Sequence, residues 1–235
     1  MRLEAHDIVS GYQDLEILHG ASISVQESQI VALLGPNGSG KSTLLKTIFG
    51  FLKPKRGKIV FDDKDITGLA PETMLSRGMA YVPQERTVFK YLTVLDNLKL
   101  GGYLLNKEGF ATAIQRVCSI FPFLKGRRDQ IASSLSGGEQ RMLEIARALM
   151  MHPKLILLDE PSANLAPIMV DAVFKEVDRL ATEERISFII VEQNVVKAID
   201  IAEYVYVLDM GRVALQGTKK DVLDVPKIRA LYLGT

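Results

Sequence analysis

The run Gly35-Pro36-Asn37-Gly38-Ser39-Gly40-Lys41-Ser42-Thr43 carries the chemistry that is easiest to name. It matches G-x-x-x-x-G-K-[ST], a spacing that suits a polyphosphate. Such a ligand holds several negative charges that must be kept from bulk water. Backbone N–H groups can surround it where the chain takes turns that glycine tolerates cheaply. Gly35, Gly38 and Gly40 supply those turns, with Asn37 and Ser39 between them. A helix after the loop would add its N-terminal N–H groups and the positive end of its dipole. Lys41 would reach the β- and γ-phosphates, the Ser42 hydroxyl would ligate Mg²⁺, and Thr43 would meet phosphate through its N–H or hydroxyl. A chance turn matches this pattern about one time in a hundred in a chain of this length. An apolar run before it and helical spacing after it strengthen the reading as a nucleotide site.

Two carboxylates, Asp159 and Glu160, stand directly after the apolar run 155–158. In α/β sheets ligands sit at the carboxyl ends of strands. One acid there can hold Mg²⁺, directly or through water, and the next can accept a proton from an attacking water. Exposed acids ending a buried strand are the plainer reading. A third group is Leu135-Ser136-Gly137-Gly138-Glu139-Gln140-Arg141. Ser136 with Glu139 reads as a capping box, and Met142, Ile145, Ala146 and Leu149 then make one helix face. The motif therefore opens a helix, a position that favours anions. A cap does not need two consecutive glycines, which cost about 1 kcal/mol each in a helix. Gly137-Gly138 suggests that something approaches the backbone closely.

These groups need a scaffold. Ile30–Leu34 reads as a buried strand feeding the phosphate loop; residues 3–9 and 21–25 alternate as strands, and Gly11-Tyr12 follow the first. Leu44, Leu45, Ile48 and Phe49 give the helix after the loop its apolar face, closed at Gly50. Residues 58–61 form a strand before the turn Asp62-Asp63, and 79–82 form one ending at Pro83-Gln84. From Glu85 the texture turns helical. Thr93 to Asp96 resembles a capping box, 110–121 has helical spacing ended by Pro122, and 125–129 is a polar loop. Residues 186–192 are another buried strand, ending at Gln193-Asn194. Residues 204–208 and 212–215 suit a hairpin across Asp209-Met210-Gly211, and 219–235 a helix with a turn at Pro226.

The 235 residues suffice for one large domain, with room for an inserted lobe. Such a chain buries roughly 70% of its unfolded surface and needs neither disulfide nor structural metal. The single cysteine, Cys118, excludes an intramolecular disulfide, reads as a core thiol and fits a reducing, cytosolic location. A net charge of +1 gives no footprint for nucleic acid. Lys53-Pro54-Lys55-Arg56 is a short basic cluster in a solvated turn. No apolar run approaches the roughly 18 residues needed to cross a bilayer. Residues 1–10 show no signal-peptide pattern, so action on a membrane would go through a partner.

Together the motifs resemble the nucleotide-binding subunit of ATP-binding cassette (ABC) transporters, over essentially the whole chain. Gln84 falls where that family has its Q-loop glutamine. L-S-G-G-E-Q resembles the family signature, and L-I-L-L-D-E-P its second nucleotide motif. Tyr12 sits where the family stacks an aromatic on adenine. The signature discriminates, because many ATPases have a phosphate loop and few have L-S-G-G-E-Q after it. The resemblance implies an α/β fold: a RecA-like P-loop NTPase core with an N-terminal antiparallel β portion, residues 1–84 and 151–235. An α-helical lobe, 85–150, would be inserted into this single domain. It implies ATP and Mg²⁺ as cofactors, and hydrolysis of ATP to ADP and phosphate coupled to transport. Two cassettes would pack head to tail, with each ATP between the phosphate loop of one and Ser136, Gly137, Gly138 and Glu139 of the other. Ser42, Asp159 and Gln84 would serve Mg²⁺. Gln84 would also reach the attacking water and sense the membrane partner, and Glu160 is the candidate base. The implied partners are a second cassette, membrane permease subunits and, indirectly, an extracytoplasmic substrate-binding protein. The implied location is the cytoplasmic face of the cell membrane.

A closer likeness is to the cassettes of branched-chain amino acid uptake systems. It rests on Val191-Glu192-Gln193-Asn194-Val195, Asn164-Leu165-Ala166-Pro167, Phe121-Pro122 with Leu124, and Leu231-Tyr232-Leu233-Gly234. Two positions depart from the wider family. Gln193 stands where a histidine is usual, and His6, His19 and His152 all precede the acidic pair. A glutamine amide can donate to a γ-phosphate oxygen but cannot carry charge or shuttle a proton. Gln193 is therefore expected as a γ-phosphate sensor. Ala166 stands where many relatives have an aspartate in a loop at the cassette interface. A heterodimer would let the partner supply the missing groups and is favoured over a homodimer. One alternative is a cassette for lipid or glycolipid export. Another is a non-transport ATPase acting on DNA or ribosomes, disfavoured because no long coiled coil separates the motifs and one cassette is present. A regulatory module without catalysis is disfavoured by Glu160.

Overall fold

The computed structural model describes residues 2–226 and 228. Its strands are β1 (Leu3–Tyr12), β2 (Leu15–Val25), β3 (Ile30–Leu34), β4 (Arg56–Phe61), β5 (Lys64–Asp65), β6 (Met79–Val82), β7 (Leu155–Asp159), β8 (Ser187–Val191), β9 (Tyr204–Asp209) and β10 (Arg212–Thr218). One sheet is antiparallel, in the order β2-β1-β4-β5. The other has the order β10-β9-β3-β8-β7-β6 and is parallel except for β10. Every residue of β3, β7 and β8 is buried, as expected of continuous apolar runs covered on both faces.

The strand period of two decides which core each side chain joins. Val31 and Leu33 of β3 face the antiparallel sheet and α1 (Lys41–Ile48), packing with Leu44, Leu45 and Ile48. Ile30, Ala32 and Leu34 face the opposite core. Each fully buried Val, Leu or Ile among them contributes about 1.5–3 kcal/mol. A short helix, α2 (Pro71–Ser76), precedes β6. Between β6 and β7 lie α3 (Val94–Gly101), α4 (Lys107–Ile120), α5 (Pro122–Lys125) and α6 (Gly137–Leu149). They bury Val94, Leu98, Val117, Leu124, Leu143 and Ile145 in the second core. Cys118 lies buried in α4. The remaining helices are α7 (Pro167–Glu183), α8 (Val195–Ile201) and α9 (Lys219–Leu223).

The mixed α/β architecture and the strands named from sequence agree with the structure apart from their ends, whereas β5, α2, α7 and α8 are elements that the sequence reading does not name. β1 runs on to Tyr12 and β2 starts at Leu15, so Tyr12 closes a hairpin. The helix expected from Glu85 begins at Val94, where the Thr93 hydroxyl accepts the Asp96 N–H at 3.0 Å. The box there stays half made, because the Asp96 carboxylate accepts from the Thr93 hydroxyl and Lys99. α4 stops at Ile120, and Pro122 opens α5 rather than only ending a helix, since a missing N–H costs nothing at a first turn. α9 covers 219–223; the motif Leu231-Tyr232-Leu233-Gly234 falls outside the described residues. Among the described residues no helix is long and apolar enough to cross a membrane.

Candidate active site

β3 delivers the phosphate loop. Gly35 leaves the strand at φ 145, and a Cβ there would lie 2.1 Å from the Leu208 carbonyl oxygen, so only glycine fits without a backbone shift. Pro36, Asn37 and Gly38 form an exposed crest, while Ser39, Gly40, Lys41 and Thr43 are buried. Gly40 precedes α1 without a side-chain cap, the arrangement of a helix start built for an anion. Lys41 folds its ammonium onto the carbonyls of Gly35 at 2.8 Å and Pro36 at 2.9 Å. Burial lowers its pKa, opposed by the charges of Glu160 and Asp159.

β6, β7 and β8 are neighbours in the sheet, so their carboxyl ends converge. Asp159 ends β7. Its Oδ1 accepts the Ser42 hydroxyl at 2.9 Å and its Oδ2 accepts the Tyr81 hydroxyl at 3.0 Å. Burial raises the Asp159 carboxyl above its ordinary value, against the two hydroxyl donors. Glu160 follows in the left-handed region at φ 46, unusual for a residue with a Cβ. Gln84, beyond β6, donates its amide to Glu160 Oε2 at 2.8 Å; Gln193, beyond β8, donates to Oε1 at 2.7 Å.

Tyr12, Asn37, Gly38, Gly40, Lys41, Ser42, Thr43, Gln84, Glu160 and Gln193 line a single cavity of about 390 Å³, together with Ile17. Asp159 joins it through Ser42, while Gly35 and Ser39 form the base of the loop. The donors Ser42, Asp159 and Gln84 are hard oxygens and fit Mg²⁺ held jointly by protein, phosphate and water. Among the described residues no group of three or more His, Cys, Asp or Glu side chains is placed to hold a metal ion by itself.

Ser136, Gly137, Gly138 and Glu139 are not among the residues lining this cavity. They start α6, and the capping box is complete: Glu139 accepts the Ser136 N–H at 2.9 Å, and Ser136 accepts the Glu139 N–H at 3.3 Å. The Glu139 carboxylate also pairs with Arg127. What crowds the two glycines in this state is the chain itself. A Cβ on Gly137 would lie 2.9 Å from the Arg86 guanidinium, and one on Gly138 would lie 1.9 Å from Met169 Cε.

Four residues near the site escaped the sequence reading. Tyr81 holds Asp159. Arg141 and Glu144 form a buried ion pair at 2.7 Å on α6. Arg141 also donates to the carbonyls of Pro83, Asp159 and Pro161, and Glu144 accepts the N–H groups of Thr87 and Val88. Glu192 is a buried acid at the end of β8. Its signal was visible, since it follows an apolar strand just as Asp159 does. Arg141 ends the run 135–141 and Glu144 follows it on α6, and neither position's spacing shows the backbone groups that they bind.

The profile of the ABC transporter family matches residues 18–163. Over 223 residues, 95% of both chains, the protein is 42% identical to the high-affinity branched-chain amino acid transport ATP-binding protein BraG of Pseudomonas aeruginosa. It is 35% identical over 237 residues to the lipopolysaccharide export system ATP-binding protein LptB of Haemophilus influenzae, covering 99% of this chain and 97% of that one. Among solved structures, the ADP conformation of MJ1267, an ATP-binding cassette of an ABC transporter, is similar at a TM-score of 0.86 and 33% identity, covering 100% of this chain and 99% of that one.

Proposed function

The chain belongs to the ABC transporter family as an ATP-hydrolysing subunit, and from that premise we propose that the transport it drives is uptake of branched-chain amino acids. The observation that carries the catalytic part is the meeting of Gln84 and Gln193 on the Glu160 carboxylate, beside Lys41 and Ser42. Lys41 exchanges the loop carbonyls for the β- and γ-phosphates, and the N–H groups of residues 37–43 surround them. Tyr12 lies against adenine. Ser42, Asp159 and Gln84 hold Mg²⁺, which when bound neutralises charge on the phosphate oxygens. Glu160 takes a proton from water as that water attacks the γ-phosphorus, releasing ADP and phosphate. Both of its oxygens accept amides here, so one glutamine turns toward the nucleotide before reaction. Gln193 then donates to a γ-phosphate oxygen.

Residues 85–150 act as the lobe that presents Ser136, Gly137, Gly138 and Glu139 to ATP on a second cassette, with a heterodimer favoured. A groove of about 320 Å³ beside Gln84's segment, lined by Thr87, Phe89, Tyr103 and Arg147, has exposed aromatics at its rim. Such a surface suits a protein partner, and we place the permease there, at the cytoplasmic face of the membrane.

The amino acid assignment is supported by the 42% identity to BraG and by the Val191-Glu192-Gln193-Asn194 and Asn164-Leu165-Ala166-Pro167 segments. The 35% identity to LptB favours a second reading, lipid export. Assembly with the candidate permeases in vesicles, with a leucine-loaded binding protein outside, distinguishes them. Leucine accumulation with stimulated ATP hydrolysis is expected; stimulation by lipopolysaccharide alone overturns the uptake reading. Light scattering of Glu160→Gln with ATP and Mg²⁺ tests the partner. A monomer that pairs only with a different cassette is expected, and a mass doubled by this chain alone overturns the heterodimer.

A further inference from the structure

We propose that Glu192 is the positioning residue that keeps the two walls of the reaction centre in register. The proposal rests on the reading of Glu160 as the base. Glu192 is 2% exposed and lies where β8 ends. Its Oε1 accepts the N–H of Ser162 at 2.9 Å. Its Oε2 accepts the N–H of Gln193 at 3.1 Å and that of Asn194 at 3.2 Å. One carboxylate thus ties the loop leaving β7, just past Glu160, to the loop leaving β8, which bears Gln193.

Both loops reach the chemistry. The Gln193 amide donates to Glu160 Oε1 at 2.7 Å, and the Glu160 N–H donates to the Val191 carbonyl at 2.9 Å. The far side of the β8 loop is fixed as well, because the Asn194 side chain caps α8 by accepting the Lys197 N–H at 3.2 Å. Glu192 therefore closes a ring with the Gln193 amide on Glu160, and when that amide turns to the γ-phosphate the Glu192 carboxylate still ties the two loops together through their backbone N–H groups. Three convergent N–H groups call for an acceptor that donates nothing, and an ionised carboxylate is that acceptor. Its charge also strengthens each bond relative to a neutral one. A glutamine in its place keeps one acceptor oxygen and turns an NH₂ group onto N–H donors. Either Ser162 or the Gln193-Asn194 pair then loses its acceptor, and the spacing between Gln193 and Glu160 is no longer set.

The test uses the full chain assembled with its transporter subunits. Glu192→Gln, Gln193→Ala, their combination and Glu160→Gln are compared for kcat, KM and equilibrium binding of a fluorescent ATP analogue. Displacing reacting groups by about 1 Å costs roughly 100-fold in rate, so Glu192→Gln is expected to lower kcat about 10- to 100-fold, with KM and analogue binding within about twofold. Because Glu192 acts through Gln193, adding Glu192→Gln to Gln193→Ala is expected to cost at most about twofold more. Glu192→Asp keeps the charge but retracts the carboxylate by a methylene; it guards against misfolding of the amide variant and is expected to show the same split. Wild-type kcat in both Glu192 variants, or losses that multiply in full with Gln193→Ala, overturns the positioning role. Turnover retained by Glu160→Gln overturns the assignment of the base, and the proposal with it.

Discussion

The hydroxyl of Tyr81 donates to Asp159 Oδ2 at 3.0 Å, leaving Oδ1 to the Ser42 hydroxyl at 2.9 Å. The Tyr81 ring is held from the other side by Phe49 and Phe51, with centroids 5.6 and 5.5 Å away. Burial, followed by the Asp159 charge, pushes the phenol well above its ordinary pKa, so it stays a donor at any working pH. Tyr81→Phe keeps the packing and leaves a buried carboxylate oxygen without its donor. The expected loss is about 1–3 kcal/mol in urea denaturation. Asp159 is then less firmly aimed, and a severalfold rise in half-saturating Mg²⁺ for ATP hydrolysis is expected. Wild-type values for both would show the bond to be idle.

The start of α6 should carry a pH signature. The Ser136 N–H, helped by Arg127 and opposed by burial, holds the Glu139 carboxyl below its ordinary 4.5. A depressed carboxyl stabilises the fold when ionised, so its contribution is present above about pH 4.5 and fades as pH falls through the lowered value. Glu139→Gln retains an acceptor for the Ser136 N–H but no charge. At pH 7 the variant should melt about 1–3 °C below wild type. Thermal scans down to pH 3 should show the two melting points converge. A gap that stays constant across that range would mean the charge is not what matters.

Much of this site was legible because its residues sit at strand ends that apolar runs announce. Ile30–Leu34 points to the phosphate loop, and residues 155–158 point to Asp159 and Glu160. What no spacing rule displays is the closing of distance across the sheet. Gln84 and Gln193 meet on Glu160 only because β6, β7 and β8 are adjacent, an order set by crossovers of 72 and 27 residues between strand ends. Gly137 and Gly138 are crowded by Arg86 and Met169, which lie two residues beyond Gln84 and Pro167 and whose approach no spacing shows. Tyr81 reads from the sequence only as part of the strand 79–82, because a phenol declares its partner only in three dimensions.

Gly138 offers a separation of internal from external crowding. A Cβ there would meet Met169 Cε at 1.9 Å and Cγ at 2.8 Å. Gly138→Ala is therefore expected to cost no more than about 1 kcal/mol, because the half-buried Met169 side chain can turn aside. Adding Met169→Ala removes the obstructing side chain and should restore most of the urea midpoint. ATP hydrolysis should stay low in the double variant, because the glycine face is also read as the surface offered to a second cassette. A single variant that loses well over about 1 kcal/mol would show that Met169 cannot turn aside; full activity in the double variant would remove the external contact.

The Arg141–Glu144 pair should behave unlike most buried ion pairs. Arg141 and Glu144 are 5% and 2% exposed, and removing one partner of such a pair costs about 3–5 kcal/mol. Replacing both by apolar residues is commonly neutral or stabilising, since the desolvation cost disappears with the charges. Here the pair also satisfies backbone groups. Arg141 donates to Pro83 O at 2.9 Å, Pro161 O at 3.2 Å and Asp159 O at 3.3 Å, and Glu144 accepts the Val88 N–H at 3.1 Å as well as that of Thr87. An Arg141→Met, Glu144→Leu double variant leaves those groups unpaired, each at about 1–3 kcal/mol. It should therefore remain several kcal/mol less stable than wild type in urea, rather than recovering. If it regains the wild-type midpoint, the backbone bonds are incidental. If it does not, α6, the segment after Gln84 and the loop bearing Glu160 are latched through one pair of side chains. A shift of α6 would then move both flanks of Glu160 with it.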